Sequence, residues 1–227
     1  MSFGTVAIGA FDGVHSGHVR VLRAAPAPLA VFTPEPGPED ELLCSLERRA
    51  ELLVAAGAAE VRVGETAPEA EAAAVLRDPD EADPLIREAI RAALSRGDVA
   101  AAAPLLGRPA EVEGLVVRGH GRGRVLGFPT ANLDVPANVL VPPLGIYAGW
   151  AAGVRAAVSI GTNPTYGGTE RRIEAFLLDF EGELYGDRLV VELWKRLRDE
   201  VAFTGERELV EQIARDVEAT RAATRPL

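Results

Sequence analysis

The second half of the chain contains five short strand-like segments with no helical segment between them, and this constrains the fold more than any other feature. The segments are rich in β-branched and aromatic residues and read EVEGLVVRG, GIYAGWAAG, VRAAVSIGT, RRIEAFLLDF and RLVVELWKRLR. Such a series is typical of an antiparallel barrel or sandwich. The chain then continues into ERELVEQIARDVEATRAA, which predicts an amphipathic helix with Leu209, Val210, Ile213 and Val217 on one face. We assign residues 104–227 to this domain.

The first half alternates strand and helix signals, which predicts an α/β domain with a parallel sheet over residues 1–103. The strands are TVAIGAF, PLAVFTPEP and AEVRVG. The helices are GHVRVLRAA and SLERRAELLVAAGA, the latter with Ser45 as N-cap and Gly57 as its stop. Residues 65–83 are acidic, rich in alanine and dotted with proline, and predict a loop or a loose helix. One or two further helices follow, with a break near Gly97.

The composition restricts the partners and the cellular location. The formal net charge of −10 opposes attraction to a polyanion, so we expect no nucleic-acid partner. The sequence shows no signal-peptide pattern, and its apolar runs are too short to span a bilayer. Its single cysteine, Cys44, fits a reducing compartment. We therefore expect a cytoplasmic protein without a membrane partner.

The most unusual stretch of the second half is VVRGHGRGRVLGFPTANLDVP, which is rich in glycine and arginine. Its glycines lack the spacing of a dinucleotide-binding fingerprint, and Pro129 opposes the helix that such a fingerprint requires. Glycine clusters usually form flexible surface turns. Arg122 and Arg124 suggest a second interpretation, in which the same loop is a mobile cationic flap.

Thr130 and Asn132 follow this loop and are two residues apart. In an extended segment they point to the same side, so that a hydroxyl and an amide oxygen converge. Mg²⁺ prefers oxygen ligands and keeps waters or substrate phosphates in its other positions. The pair is therefore either a magnesium site or, as is more common for Thr-x-Asn, a stabiliser of a turn.

The segment GRVLGFPTANL closely resembles the phosphate-binding segment of riboflavin kinases. The resemblance continues through LVPPLGIYAGW, SIGTNPTYGG, IEAFLLDFEGELYGDRLVVELWKRLRDEVAF and the final helix, and covers nearly all of residues 106–227. It implies a small six-stranded antiparallel barrel with a C-terminal helix. The implied reaction is the ATP-dependent phosphorylation of the ribityl 5′-hydroxyl of riboflavin, or of a close analogue, to give FMN and ADP.

The resemblance also implies roles for individual residues. Thr130 and Asn132 match the positions that hold Mg²⁺ and the nucleotide, and Glu174 matches the catalytic base, although an exposed glutamate is the ordinary interpretation of such a strand position. The residues matched to ATP binding are Gly121, Arg122, Gly123, Arg124, Gly127, Pro129 and Thr130. Those matched to flavin binding are Arg198, Asp199, Glu200 and Phe203.

The N-terminal segment GAFDGVHSGH places His15 and His18 ahead of a helix. Such a pair is more often structural. The spacing nevertheless resembles the nucleotidylyltransferase signature, in which two imidazoles stabilise a triphosphate at a helix N-terminus. The longer text, with VFTPEP and SLERRAELLVAAGAAEVRV, resembles the FMN adenylyltransferase half of the bifunctional riboflavin kinase/FAD synthetase family.

This chain departs from that family in two places. Its α/β half is much shorter, and Ala82, Asp83, Pro84 and Leu85 replace the family's phosphate-binding Ser-Ser-Thr-Arg. We therefore predict a riboflavin kinase with a degenerate adenylyltransferase domain. The alternatives are a bifunctional enzyme that still makes FAD and a flavin-binding regulator without catalysis, although a regulator needs no base such as Glu174.

Overall fold

A computed structural model of the protein describes residues 4–67, 72–77, 84–119, 121–165 and 168–227, without the side chains of residues 122, 163–165 and 168–170. The chain divides into two compact units. The first consists of Met1–Ala92, Leu105–Gly107 and Asn138–Leu140, and the second consists of Ala93–Pro104, Arg108–Ala137 and Val141–Leu227. Within the described ranges, no helix is both long and apolar enough to cross a membrane.

The N-terminal elements alternate as the sequence predicts. The strands are β1 (Thr5–Ile8), β2 (Leu29–Thr33), β3 (Glu60–Val63) and β4 (Ala74–Arg77), and the helices are α1 (Ser16–Ala24), α2 (Leu46–Ala55), α3 (Pro84–Ser95) and α4 (Val99–Leu106). Ser45 caps α2 by accepting a hydrogen bond from the Arg48 backbone N–H at 3.0 Å. Gly57 and Gly97 follow the helix ends with φ of +114° and +77°, values that suit glycine.

The four N-terminal strands form a parallel sheet in the order β3-β2-β1-β4. Ala7 and Val31 point into one apolar cluster, while Val6, Ala30 and Phe32 point into the other. The sheet is thus buried on both faces, as parallel sheets are. The predicted α/β class is confirmed.

The prediction of three strands was wrong, because β4 is a fourth. It lies within the segment for which we expected a loop or a loose helix, and it pairs with the central strand β1 from Thr5↔Ala74 to Ile8↔Arg77. A four-residue strand carries too little periodicity to be recognised, and its two large apolar residues, Val75 and Leu76, stand in an acidic and alanine-rich stretch of the sequence.

The second unit contains a closed six-stranded barrel in the order β10-β5-β6-β9-β8-β7, in which every pairing is antiparallel. Its strands are β5 (Ala110–Val117), β6 (Ala131–Asp134), β7 (Gly145–Ala151), β8 (Val154–Thr165), β9 (Gly168–Leu177) and β10 (Arg188–Arg198). The predicted barrel and its C-terminal helix, α6 (Glu206–Ala222), are confirmed. The sixth strand is β6, the short extended segment that carries Asn132.

Residues of the barrel alternate between its interior and its outer face. The interior is filled by apolar side chains, which include Val112, Val116, Leu133, Val158, Ile160, Ile173, Ala175 and Val191. Tyr147 is also fully buried, and its hydroxyl donates a hydrogen bond to the Pro143 carbonyl at 2.7 Å. Burial raises the pKa of the Tyr147 hydroxyl above its ordinary value. The interior is therefore a packed core.

Residues 93–104 are grouped with the barrel unit. Within it, a side chain at Gly97 would crowd Arg196 and the Tyr147 hydroxyl. The helical segment around Gly97 thus packs against the barrel, close to the predicted boundary between residues 103 and 104, which stays a prediction.

Candidate active site

Six residues form a continuous row across neighbouring strands on the outer face of the barrel, which we call the outer row. The pairings are Val117↔Asn132, Asn132↔Glu174, Glu174↔Ser159, Ser159↔Ile146 and Ile146↔Arg198. Directly opposite residues of an antiparallel pair point to the same side, with Cβ atoms about 5 Å apart. The outer row therefore places Glu174 between the side chains of Asn132 and Ser159.

A cavity of about 430 Å³ lies over the outer row, a size suited to a small-molecule ligand. Of the predicted site residues, the following line it: Gly121, Gly123, Arg124, Pro129, Thr130, Asn132, Glu174, Arg198, Glu200 and Phe203. The structure thus brings the residues predicted for ATP, Mg²⁺, base and flavin roles to one place. Gly127 and Asp199 are not among the lining residues, and the side chain of Arg122 lies outside the described part of the chain.

The glycine-rich loop is more ordered than a flexible turn, because it contains a single helical turn, α5 (Arg122–Val125). The Phe128 N–H donates to the Gly123 carbonyl at 2.8 Å, and the Gly127 N–H donates to the Arg124 carbonyl at 3.2 Å. The Phe128 ring then meets Phe176 of β9 edge to face, with ring centroids 5.4 Å apart. These contacts fold the loop back onto the part of the cavity wall that Phe176 forms. The predicted flap would occupy the same place.

Thr130 and Asn132 both line the cavity, as expected from their spacing. The Asn132 amide nitrogen lies 3.4 Å from the Thr130 carbonyl oxygen, to which it donates. Because the nitrogen is engaged there, the amide oxygen is the atom left for a ligand. Gly119 packs so closely on Asn132 that any Cβ at this position would overlap the amide.

Glu174 lies on β9, and its side chain is 22% exposed. Its Oε1 atom is 3.7 Å from Nε of Arg172, two residues earlier on the same face of the strand. A partly buried carboxylate on a cavity wall differs from the exposed strand glutamate of the ordinary interpretation. It is placed to accept a proton from a ligand bound in the cavity.

Arg198 ends β10 and is held by an ion pair with Asp216 of α6. Its Nε and Nη2 atoms donate to the two carboxylate oxygens at 2.9 and 2.7 Å, and Asp216 is only 9% exposed. The Gln212 amide donates to the same carboxylate at 2.9 Å. The guanidinium also lies over the Phe203 ring, 5.9 Å from its centroid. Arg198 thus fixes both α6 and the loop that follows β10.

The other residues predicted for flavin binding differ in their placement. The Glu200 carboxylate lies over Gly161 of β8, where a side chain would overlap it. Asp199 is 78% exposed and pairs with Arg196 at 2.8 Å. The Asp199 carboxylate therefore faces Arg196 and does not line the cavity. The flavin contact predicted for Asp199 stays a prediction.

The donor set of the cavity fits a magnesium ion bound together with phosphates. Among the described residues, no group of three or more His, Cys, Asp or Glu side chains could hold a metal ion. The Thr130 hydroxyl and the Asn132 amide oxygen offer two hard oxygen atoms. Mg²⁺ takes its remaining ligands from water and substrate phosphates in such sites.

The N-terminal histidines are enclosed by the fold. His15 and His18 are both 0% exposed, and their rings stack with centroids 3.7 Å apart. The His15 backbone N–H donates to Nδ1 of His18 at 3.3 Å, at the start of α1. Nearby in the same unit, Asp12 pairs with Arg91 of α3 at 2.8 Å. Ala82 and Asp83 lie outside the described residues, and Leu85 is 77% exposed.

Sequence reasoning missed several residues that line the cavity. Arg172 and Phe176 share the face of Glu174, and the two-residue alternation of β9 could have identified them. Ser159 depends on the register between β8 and β9, which no local pattern reveals. Leu209 and Ile213 were predicted as the apolar face of the last helix, and they line the cavity.

Comparison with known proteins agrees with this geometry. The riboflavin kinase (flavokinase) family model matches residues 106–224, just over half of the chain. The bifunctional riboflavin kinase/FMN adenylyltransferase of Bacillus subtilis (strain 168) is 43% identical over 141 residues, and that of Escherichia coli (strain K12) is 42% identical over 133. Each alignment covers 56% of this chain and 42% of the relative, so the chain spans less than half the length of these relatives in the alignment.

A solved structure described as a macrolide-efflux protein from Streptococcus pneumoniae matches nearly the whole chain. It is 27% identical with a TM-score of 0.80, and the match covers 97% of this chain and 94% of the other. The two proteins are therefore similar in fold over nearly the whole length of both chains. On the family match, which confirms the resemblance found in the sequence, the chain belongs to the riboflavin kinase family.

Proposed function

We propose that the protein is a riboflavin kinase that transfers the γ-phosphoryl group of ATP to the ribityl 5′-hydroxyl of riboflavin, giving FMN and ADP. One observation carries the proposal. The outer row aligns Asn132, Glu174 and Ser159 beneath a cavity that is lined by the glycine-rich flap and by the loop after β10. A nucleotide and an alcohol acceptor can therefore meet above a carboxylate.

Glu174 is the proposed catalytic base. As the ribityl oxygen forms its bond to the γ-phosphorus, the bond to the leaving oxygen of ADP breaks, and the hydroxyl proton passes to the Glu174 carboxylate. The base needs hydrogen-bond reach of the hydroxyl, about 2.6–3.2 Å. Its place on a rigid strand of the closed barrel fixes that geometry better than a loop could.

The nucleotide side of the cavity is proposed to be the flap with Thr130 and Asn132. Arg122 and Arg124, with the backbone of Gly121, Gly123, Gly127 and Pro129, contribute the contacts proposed for the ATP phosphates. Thr130 and Asn132 would hold Mg²⁺, which neutralises charge on the phosphates when it is bound. Positioning and charge neutralisation supply most of the catalysis in phosphoryl transfer.

The flavin side is proposed to be the loop after β10 and the facing surface of α6. Phe203, Leu209 and Ile213 give this end of the cavity apolar surface suited to a flavin ring. The Arg198–Asp216 pair holds this surface in place, and Glu200 supplies polar contacts. Asp199 would join the site after release from Arg196.

The direct test is incubation of the protein with riboflavin, ATP and Mg²⁺, followed by chromatographic separation of the flavins. We expect FMN to accumulate in proportion to enzyme and time. Riboflavin that is bound but never converted would identify a flavin-binding regulator instead.

Gly119→Ala tests how Asn132 is held. The added methyl group overlaps the Asn132 amide, so that side chain must move. A displacement of about 1 Å in a reacting assembly can lower the rate about a hundredfold. We expect FMN formation to fall at least about tenfold with little change in melting temperature. Gly37→Ala is the control, because its Cβ meets only ordinary contacts; equal activities of the two variants would contradict the assignment.

We further propose that the N-terminal unit has lost adenylyltransferase activity. Both histidines of the signature are enclosed and stacked, and the first described residues of the substituted phosphate motif are Pro84 and Leu85. Each donor removed from a developing charge typically lowers the rate about a hundredfold or more. With FMN and ATP, we expect no FAD or only traces. Formation of FAD at a rate comparable to that of FMN would show that the enzyme is bifunctional.

A further inference from the structure

Arg172 lines the cavity on the same face of β9 as Glu174 and Phe176. Phe176 meets the flap through Phe128, so this end of β9 lies on the nucleotide side. At the other end, Arg172 lies opposite Gly161, over which the Glu200 carboxylate is placed. Along the strand, Glu174 is therefore in the middle, with Arg172 on the acceptor side of it.

The other cations of the cavity are placed differently. Arg198 is committed to Asp216 by two short hydrogen bonds. Arg124 belongs to the flap, at the nucleotide end. Among the arginines that line the cavity, Arg172 is therefore the one that lies beside the proposed base. Its Nε atom is 3.7 Å from Oε1 of Glu174.

Glu174 and Glu200 both line the cavity, and the Glu200 carboxylate lies over Gly161, the residue opposite Arg172. Like charges on one wall repel each other, and they also repel an incoming triphosphate. A guanidinium beside Glu174 offsets this repulsion and limits the rotation of the carboxylate. Oε1 is the Glu174 oxygen in the ion pair with Arg172, and the 3.7 Å separation is longer than a hydrogen bond.

We propose that Arg172 is a positioning residue for Glu174, which holds the carboxylate by Oε1 so that Oε2 receives the hydroxyl proton. This inference rests on the proposed riboflavin kinase function. Arg172 acts through the base, so its loss lowers turnover and leaves substrate affinity in place. Because Arg172 acts through Glu174, substitution of Arg172 should no longer lower turnover when Glu174 cannot accept a proton.

The experiment compares Arg172→Gln, Arg172→Lys and Arg172→Ala with Arg171→Gln as the matched control. Arg171 is the neighbouring exposed arginine on the same strand, and it is not among the residues that line the cavity. We expect kcat of Arg172→Gln to fall about tenfold to a hundredfold, the scale of a misplaced reacting group. The KM values for riboflavin and ATP should stay within roughly twofold. Arg172→Lys should be intermediate, and Arg171→Gln should match the unaltered protein.

Two further measurements separate positioning from a purely structural role. Millimolar guanidinium chloride should partly restore turnover to Arg172→Ala, because the free cation can occupy the vacated position. In the Glu174→Gln background, Arg172→Gln should have almost no additional effect, since the two residues act as one unit.

Several outcomes would overturn the inference. An Arg172→Gln variant with unchanged kcat would do so, as would one with only a raised KM for riboflavin, which would make Arg172 a flavin contact. Loss of activity with a lowered melting temperature and no rescue by guanidinium would assign a structural role. If the unaltered protein and Arg171→Gln both make no FMN, the proposed function fails and the inference fails with it.

Discussion

Glu174→Gln is expected to lower the turnover of riboflavin to FMN by roughly a hundredfold or more, the usual scale for loss of a general base. The substitution keeps the shape of a side chain that is 22% exposed in the cavity, and it removes the proton acceptor. Riboflavin binding, followed by quenching of flavin fluorescence, should change little because the base contacts only the reacting hydroxyl.

The matched control is Glu183→Gln, which removes the same charge from the exposed turn between β9 and β10. Its turnover should equal that of the unaltered protein. If Glu174→Gln instead binds riboflavin weakly and turns over normally at saturation, Glu174 is a binding residue and the assignment of the base is wrong.

Thr130→Ala and Asn132→Ala should each lower turnover strongly, by about a hundredfold, and raise the Mg²⁺ concentration needed for half-maximal activity. Each substitution removes one of the two neutral oxygens proposed to hold the ion beside the nucleotide. Because β6 is paired with β5 and β9, the barrel should stay folded in both variants.

Thr130→Ser keeps the hydroxyl and serves as the control, so its Mg²⁺ requirement should remain close to that of the unaltered protein. Near-normal turnover of both alanine variants at saturating Mg²⁺ would contradict the metal assignment. Thr130 and Asn132 would then be turn stabilisers, the more common role of this pair.

The barrel could be predicted from the sequence because its strands carry a strong local signal. Apolar residues recur in Arg188–Arg198 with a spacing that predicts a strand with one mainly buried face, and the structure confirms it. Gly145–Ala151 was also predicted as a strand and is confirmed, although Tyr147 and Ala148 are both buried, so this strand is covered on both faces. Ser45 and Gly57 likewise marked the ends of α2 correctly, because capping is a local interaction.

The elements that were missed depend on long-range pairing. Strand β4 is fixed by its ladder to β1, almost 70 residues earlier in the chain, and the residues of Ala74–Arg77 alone do not indicate it. The flap turn at Arg122–Val125 is anchored to the barrel by the Phe128 ring, which packs edge to face on Phe176 of β9, far along the chain. Both features result from tertiary contacts that local propensity does not encode.

The cavity residues likewise divide into those that the sequence indicates and those that depend on long-range strand pairing. Thr130 and Asn132 were singled out first by their spacing and then by family resemblance, Glu174 was found through family resemblance, and the structure brings all three to one cavity. Their convergence follows from the register between β6, β9 and β8, which also brings in Ser159. A sequence pattern can give the side of a strand on which a residue lies, but the residue opposite it depends on register.

The most direct test of the central claim is ADP release, measured by a coupled assay with ATP and Mg²⁺ in the presence and absence of riboflavin, with FMN quantified in the same samples. The account predicts that ADP release depends on riboflavin, that one FMN appears for each ADP, and that Glu174→Gln nearly abolishes both. ADP release that is independent of riboflavin, or riboflavin binding without any FMN, would contradict it.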